Sequence, residues 1–235
     1  MIRLFVDTPL KSQSIIPLDE KRFHYLCHVM RCQAQDEILC FNGQDGEWLC
    51  SLELSTRKSA TLKVLRQTRP QKVPTFCALC PALIKKDNMD LVLQKATELG
   101  VTDIYPLITE HTSHANFNQA HANLIVQEAA EQCERLTLPI VHEATQITSV
   151  LKKLPQNCTR CCLAERNDSS DSLPTSGPIA FFVGPEGGWS QKEIHFFSSN
   201  AFVQLHFDVG ILRAETASIA ILSCWQIGRH LHIKK

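Results

Sequence analysis

The fold of this chain is decided by the stretch Phe181-Phe182-Val183-Gly184-Pro185-Glu186-Gly187-Gly188-Trp189-Ser190. It is an apolar strand, then a turn rich in glycine, then the start of a helix. The same order recurs further along the chain at Gly210-Ile211-Leu212-Arg213-Ala214-Glu215-Thr216-Ala217. Open α/β sheets bind ligands beyond the carboxyl ends of their strands, so two such turns predict one shared ligand site. The glycines let the backbone approach a ligand closely.

Strands and helices alternate from Thr75 onward, which predicts a mainly parallel sheet with helices on both faces. Asp87 is expected to cap the first helix and Gly100 to end it. A capping box at 190–193 opens another helix. Strands are predicted over 75–83, 104–108, 140–142, 161–164, 179–183 and 202–207, and further helices over 123–136 and 215–230.

The chain before residue 70 predicts a small β domain instead. Strands are expected over 2–6, 37–41, 48–52 and 60–65, with a helix over 21–31 and a glycine-bearing hairpin loop over 42–46. Residues 68–74 contain two prolines and no apolar pattern before Val73, which predicts a linker. The domain limits that follow are 1–70 and 74–235.

Composition is that of a soluble globular protein, with 44% hydrophobic and 20% charged residues. Its apolar runs are far shorter than the roughly 18 residues of a membrane span. The N-terminal residues lack the apolar core and cleavage site of a signal peptide, so we expect a cytoplasmic protein that does not enter a membrane.

The 11 cysteines raise the alternatives of disulfides or a metal site. An odd number without a secretion signal argues against a disulfide framework. Cys77 and Cys80, like Cys158 and Cys161, have the spacing of half a zinc site. Residues three apart in a strand face opposite sides, however, so we expect buried free thiols and no metal.

Charge is balanced overall, with 24 basic and 24 acidic residues. No acidic residue lies between Glu53 and Asp87, and the cations there are Arg57, Lys58, Lys63, Arg66, Arg69, Lys72, Lys85 and Lys86. This stretch is either a phosphate-binding surface or an ordinary solvated face, and charge alone does not choose between them.

Neither glycine stretch matches a dinucleotide fingerprint or a P-loop, which disfavours a phosphate-cradling nucleotide site. Together they resemble the signature of the RsmE family of SPOUT-class RNA methyltransferases. Three further motifs match the family in order and spacing: His24 through Val29-Met30-Arg31; Lys95-Ala96-Thr97-Glu98-Leu99-Gly100-Val101; and Glu128-Ala129-Ala130-Glu131-Gln132-Cys133-Glu134-Arg135 with Leu138-Pro139. The resemblance covers nearly the whole chain.

The resemblance implies a fold and an activity. It implies a small N-terminal PUA-like β-barrel domain that binds RNA, and a C-terminal SPOUT-type α/β domain with a trefoil knot. It also implies methylation of N3 of a uridine in small-subunit (16S) ribosomal RNA. The cofactor would be S-adenosyl-L-methionine, and the partners would be a second copy of the chain and rRNA within the small ribosomal subunit.

Site residues follow from the same resemblance. Cofactor binding falls to Ala164, Glu165, Gly184, Pro185, Glu186, Gly187, Gly188, Leu205, Ile211, Leu212, Arg213, Thr216 and Ala217. RNA contact falls to Arg3, Arg22, His24, Arg31, Lys85, Lys95 and Arg135. Among these, Arg213 would stabilise the anion left on the uracil ring. Glu186 would be either the base or, as we favour, an organiser of its own loop.

Other residues bear on these roles without fixing them. Glu215 at a helix start is expected to act as a favourable charge on the helix dipole. Glu131 and Arg135 could pair on a helical face that is either solvated or turned to RNA or a second subunit. Asp208 and His111 stand where the family has a glycine and an arginine. A methyltransferase acting on another RNA, or an RNA-binding protein without activity, therefore stays an alternative.

Overall fold

Two sheets organise the chain in this computed structural model, which describes residues 1–56, 59–113, 116–164 and 171–230. Each sheet belongs to one of two units. The first unit contains Met1–Val73 together with Ala130–Leu138, and the second contains Pro74–Ala129 and Pro139–Lys235. The segment Ala130–Leu138 therefore groups with the N-terminal residues, and the domain limits 1–70 and 74–235 stay a prediction.

The first unit holds a five-stranded sheet of order β1-β3-β4-β5-β2. Its strands are β1 (Ile2–Phe5), β2 (Ile15–Pro17), β3 (Glu37–Phe41), β4 (Glu47–Thr56) and β5 (Ser59–Arg69). Only the β1–β3 pair is parallel among these described pairings. Alternating side chains of the strands, such as those of Ile38, Leu52 and Leu62, are buried in the core.

Most of the predicted elements of this unit are confirmed, with three differences. The helix expected over 21–31 is a short α-helix, α1 (Glu20–Phe23), that continues as a π-helical segment over His24–Val29. Strand β5 runs to Arg69, so the linker begins later than residue 68. Strand β2 was not predicted, because three residues are too few to show an alternating pattern.

The second unit holds a six-stranded sheet of order β11-β9-β10-β6-β7-β8, in which every described pair is parallel. The strands are β6 (Cys77–Pro81), β7 (Asp103–Ile104), β8 (Ile140–Val141), β9 (Thr159–Leu163), β10 (Ile179–Val183) and β11 (Val203–Leu205). The helices are α2 (Lys86–Glu98), α3 (Gln119–Gln132), α4 (Ile147–Leu151), α5 (Gln191–Ser199) and α6 (Ala214–His230), and the last three residues of α3 group with the first unit. The predicted α/β class is confirmed, while the trefoil knot stays a prediction.

Apolar clusters cover both faces of this sheet. One cluster joins the sheet to α2, α3 and α6, and the other joins it to α4 and α5. Cys77 packs into the first cluster and Cys80 into the second, so the two thiols face opposite sides of β6 as expected. Among the residues that the structure describes, no group of three or more potential ligands could hold a metal ion.

Two expectations about helix α2 and strand β7 are corrected. The cap of α2 is Lys85 and not Asp87, which lies inside the first turn, where its charge favours the helix dipole. The strand expected over 104–108 is limited to Asp103–Ile104, since Pro106 lacks the N–H that a ladder needs. Within the described part of the chain, no helix has the length and apolar character that crossing a membrane requires.

Candidate active site

A pocket of about 180 Å³ lies at the carboxyl ends of β9 and β10. We call it the edge pocket. Both glycine stretches of the sequence contribute to it, as the strand-to-helix pattern predicts. Its lining residues are Leu163, Ala164, Val183, Gly184, Pro185, Glu186, Gly188, Trp189, Phe207, Val209, Gly210, Ile211, Leu212, Arg213, Ala214 and Ala217.

The loop after β10 needs glycine at three positions: Gly184, Gly187 and Gly188. A Cβ at Gly184 would lie 3.2 Å from the ring of Trp189. Gly188 has a φ of 68°, in the left-handed region that other residues rarely adopt. The Trp189 indole N–H donates a 2.8 Å hydrogen bond to the carbonyl of Leu163, which ties the loop to the end of β9.

His111 holds the same loop from the other side. Its Nδ1 lies 3.0 Å from the carbonyl oxygen of Gly187 and 3.1 Å from that of Gly188. Since both partners are acceptors, Nδ1 carries the proton and donates. A Cβ at Gly187 would come within 3.2 Å of the His111 Cβ, so glycine makes this close approach possible. The residue that departs from the family pattern thus has a local role in the loop.

The neighbouring residue Glu110 is fixed against the start of α5. Its backbone N–H donates to Glu193 Oε1 at 3.1 Å, and its carboxylate accepts from Lys192 Nζ at 3.2 Å. Hydrogen bonds from the Ser190 hydroxyl and from Lys192 hold the pKa of the Glu110 carboxyl below its usual value. The predicted capping box of Ser190 and Glu193 is confirmed.

The second wall of the pocket carries the other departure from the family pattern. Asp208 is exposed, and the chain bends over 208–210 before Ile211. A Cβ at Gly210 would meet no atom within 4 Å. The displaced glycine is therefore not required by close packing. Val209 and Ile211 line the pocket while remaining 61% and 69% exposed.

Two charged side chains face the edge pocket without partners. Arg213 and Glu186 are both exposed, and neither charged group has a hydrogen bond or ion pair among the described residues. Among the described residues, Glu186 makes none of the contacts that the favoured loop-organising role would need. His111 and Trp189 hold the loop instead. Glu215 lies buried in the first turn of α6, and its Oε2 atom has no partner in the described structure.

Most of the predicted cofactor residues come together in the pocket, with four exceptions. Gly187, Leu205 and Thr216 do not line it: Gly187 contacts His111, Leu205 is buried in the core, and Thr216 is exposed. Glu165 lies outside the described residues. Trp189 lies within the first quoted stretch and lines the pocket, but it was not among the predicted cofactor residues. The other lining residues outside the predicted set are Leu163, Val183, Phe207, Val209, Gly210 and Ala214.

Arg3 is not available for the RNA contact that was predicted for it. Its side chain is buried, and Nε donates to Glu47 Oε2 at 2.8 Å. Nη1 donates to the carbonyls of Ala130 and Glu131, and Nη2 to that of Arg135. Every nitrogen of the guanidinium group is engaged, so Arg3 holds the segment Ala130–Leu138 against the first sheet of the same unit. Arg3 is therefore not among the proposed RNA contacts.

The other residues predicted to contact RNA lie on the surfaces of their own units. In the first unit, His24 and Arg31 are exposed, while Arg22 is partly engaged by Asp7 and Asp19. Arg135 is half-buried, and its Nη2 lies 3.4 Å from Thr137 Oγ1.

Two of the predicted RNA contacts belong to the second unit. Lys85 is exposed, and Lys95 forms a 2.8 Å ion pair with Glu98. The run of cations between Glu53 and Asp87 is thus divided between the units. Arg69 is paired with Glu47 in the first unit and Lys86 with Asp90 in the second.

Comparison with known proteins decides the family. A family model described as "RNA methyltransferase domain" matches residues 71–226, and one described as "RNA methyltransferase PUA domain" matches residues 18–65. A ribosomal RNA small subunit methyltransferase E from Rickettsia conorii is 32% identical over 97% of this chain and 96% of its own length. The chain belongs to the RsmE family. It is an RNA methyltransferase, and its N-terminal unit contains a PUA domain.

Further relatives of the RsmE family cover both units. The enzyme of the same name from Bacillus subtilis is 26% identical over 85% of each chain. A crystal structure of the RsmE protein from Neisseria gonorrhoeae, bound to S-adenosyl methionine, superposes with a TM-score of 0.88 at 29% identity. It covers 97% of this chain and 98% of its own.

Proposed function

We propose that this chain methylates N3 of a uridine in small-subunit ribosomal RNA, with S-adenosyl-L-methionine as the methyl donor. The observation that carries the proposal is the edge pocket, where the two glycine stretches meet and where the charged groups of Arg213 and Glu186 have no partner among the described residues. Relatives that share nearly the full length of the chain carry the name of a small-subunit rRNA methyltransferase.

The residues of the edge pocket fit this cofactor. Leu163, Ile211 and Leu212 supply apolar surface for an adenine ring, and the glycine loop brings backbone N–H and C=O groups close to it. When bound, S-adenosyl-L-methionine supplies a methyl group on a cationic sulfur. The indole of Trp189 and the imidazole of His111 keep the loop in shape before any ligand binds, which reduces the ordering cost of binding.

Arg213 and Glu186 have complementary roles in this proposal. Uracil N3 must lose its proton before it attacks a methyl group, and the Glu186 carboxylate would accept that proton. A carboxylate is a weak base for this N–H group, so the step depends on a nearby positive charge. Arginine carries a positive charge in proteins, so the Arg213 guanidinium can stabilise the anionic uracil oxygen.

We also propose that the enzyme acts as a homodimer in the cytoplasm, on rRNA packaged in the small ribosomal subunit. Val209 and Ile211 are exposed apolar residues beside the edge pocket, and a second subunit would remove them from water. The proposed RNA contacts are Arg22, His24, Arg31, Lys85, Lys95 and Arg135.

The test is methyl transfer from isotope-labelled S-adenosyl-L-methionine to small ribosomal subunits that lack the modification. Nucleoside mass spectrometry should find label only in N3-methyluridine, and the Arg213→Ala variant should incorporate much less of it. Label in transfer RNA instead, or in another nucleoside, would replace the proposed substrate. Absence of both cofactor binding and methyl transfer would reduce the chain to an RNA-binding protein.

A further inference from the structure

A second cavity, of about 650 Å³, lies between the first turns of α2 and the start of α3. We call it the helix pocket. It shares no lining residue with the edge pocket, and all its residues belong to the second unit. Its volume is within the usual range of sites for small organic ligands.

The floor of the helix pocket is apolar. Leu83, Met89 and Leu93 form it as buried residues, and Phe117 contributes a half-buried aromatic ring. Met89 and Leu93 are one helical turn apart and so face the same side of α2. A flat apolar ligand would find both an aliphatic bed and an aromatic face here.

A polar network lies on the same cavity wall. Asp90 Oδ2 accepts a 2.6 Å hydrogen bond from Lys86 Nζ and lies 2.9 Å from His121 Nε2. Burial raises the pKa of the Asp90 carboxyl, but the hydrogen bonds from His121 and Lys86 lower it by more, so it stays ionised at neutral pH. Its side chain is 27% exposed and can still accept a hydrogen bond from a ligand.

The charges of this network select the class of ligand. A bare phosphate is disfavoured, because the Asp90 carboxylate would repel it and already engages Lys86 and His121. An uncharged heteroaromatic ring with N–H groups on its edge meets every feature: it can lie on the apolar floor, stack on Phe117 and donate to Asp90. A nucleobase is such a ring, and proteins that read single-stranded RNA bind splayed bases in this way.

The place of the helix pocket links it to the reaction. Helix α2 starts just after the carboxyl end of β6, and α3 starts after the loop that follows β7. Both helix starts therefore lie at the sheet edge that carries the edge pocket. The target base must reach the edge pocket, so a base held here is a different one.

We propose that the helix pocket receives an unpaired base of the RNA strand that flanks the methylated uridine. This inference rests on the proposed function, because it takes RNA as the substrate. The pocket would anchor the strand after the target base has left its stack, and would add affinity and sequence preference without taking part in methyl transfer.

The test compares two pocket variants with a matched control. Phe117→Ala removes the aromatic face, and Asp90→Asn removes the charged acceptor. The control is His142→Ala, which breaks a similar histidine–aspartate pair, 2.9 Å from Asp103, and His142 does not line the pocket. We expect each pocket variant to raise KM for small subunits about tenfold. For these variants, kcat and the affinity for S-adenosyl-L-methionine should stay within about twofold of wild type. For the control, KM, kcat and this affinity should all stay within about twofold.

A direct binding measurement keeps the inference separate from the proposed function. Short single-stranded oligoribonucleotides of each of the four bases are titrated into the wild-type protein and followed by NMR at the His121 ring. Saturable shifts that Phe117→Ala abolishes are expected, whether or not any RNA is methylated. Absence of shifts, or an unchanged KM in correctly folded variants, would overturn the inference. A variant that changes the sedimentation of the protein would instead assign the pocket to a subunit contact and overturn it too.

Discussion

Two arginines of this chain have opposite surroundings. Arg3, in the first unit, is 7% exposed, and all its guanidinium nitrogens donate to Glu47 or to backbone carbonyls. Arg213, in the second unit, is exposed beside the edge pocket and has no partner among the described residues. The guanidinium group of Arg3 is fully paired within the protein, whereas that of Arg213 is accessible to a ligand.

The difference separates residues that hold the fold from residues available to a ligand. A buried charge is tolerated only when it is paired and fully hydrogen-bonded, as Arg3 is. A charge that borders a pocket with no protein partner keeps its binding capacity for a ligand. Resemblance alone placed both arginines in the functional site, and their partners tell them apart.

The largest expected effect tests the paired arginine, Arg3. Arg3→Ala leaves Glu47 buried with one cation lost, and we expect a loss of about 3–5 kcal/mol in the free energy of unfolding. Urea denaturation followed by circular dichroism measures it. The control is Arg22→Ala, whose ion pairs at 3.4 Å are more exposed and should contribute at most about 1 kcal/mol. Equal losses for both variants would remove the distinction.

For the exposed arginine, Arg213, we expect a loss of methylation rate without a loss of stability. Arg213→Ala should lower the single-turnover methylation rate about 10²- to 10³-fold, as the removal of a group that stabilises a developing anion does. The melting temperature should hardly change, because no described residue binds the side chain. Arg213→Lys keeps the charge without the planar fork and should be intermediate. A destabilised Arg213→Ala protein would contradict the conclusion that no described residue binds this side chain.

His111 provides a contact that lies between the two cases, because it is a paired residue that serves the pocket. His111→Ala removes the hydrogen bonds to Gly187 and Gly188. We expect about tenfold weaker binding of S-adenosyl-L-methionine in calorimetric titration, with little change in melting temperature. His195→Ala, on the exposed side of α5, is the control and should bind normally. Wild-type affinity in His111→Ala would show that the loop keeps its shape unaided.

The smallest expected effect is the pH dependence of the Arg3–Glu47 network. Burial raises the pKa of Glu47, but hydrogen bonds from Arg69, Arg3 and Thr68 lower it by a larger amount. The net pKa is therefore below the ordinary value. A carboxyl whose pKa is lower in the folded state stabilises the fold above its unfolded pKa, and this contribution is lost as pH falls. Unfolding free energies measured below about pH 4.3 should fall more steeply for wild type than for Glu47→Gln. Parallel curves would show that Glu47 does not titrate differently in the two states.

Several elements could be predicted because their signal is local. Strand β10 is five consecutive buried apolar residues, and its predicted limits 179–183 are those observed. The capping box at Ser190 and Glu193 is written within four residues and forms as predicted. The two glycine stretches each carry their own turn and helix start, so the position of the edge pocket also followed from the sequence.

The remaining features depend on partners that are distant in the chain. His111 contacts Gly187, 76 positions away in the sequence, and Arg3 contacts Ala130, 127 positions away. Neither contact therefore produces a periodic pattern in the sequence. The grouping of Ala130–Leu138 with the first unit has the same origin. Hydrophobic periodicity reports which face of an element is buried, and resemblance reports which residues matter. Only the tertiary structure decides which polar groups find each other, because a hydrogen bond depends on positions within a few ångströms and not on residue type.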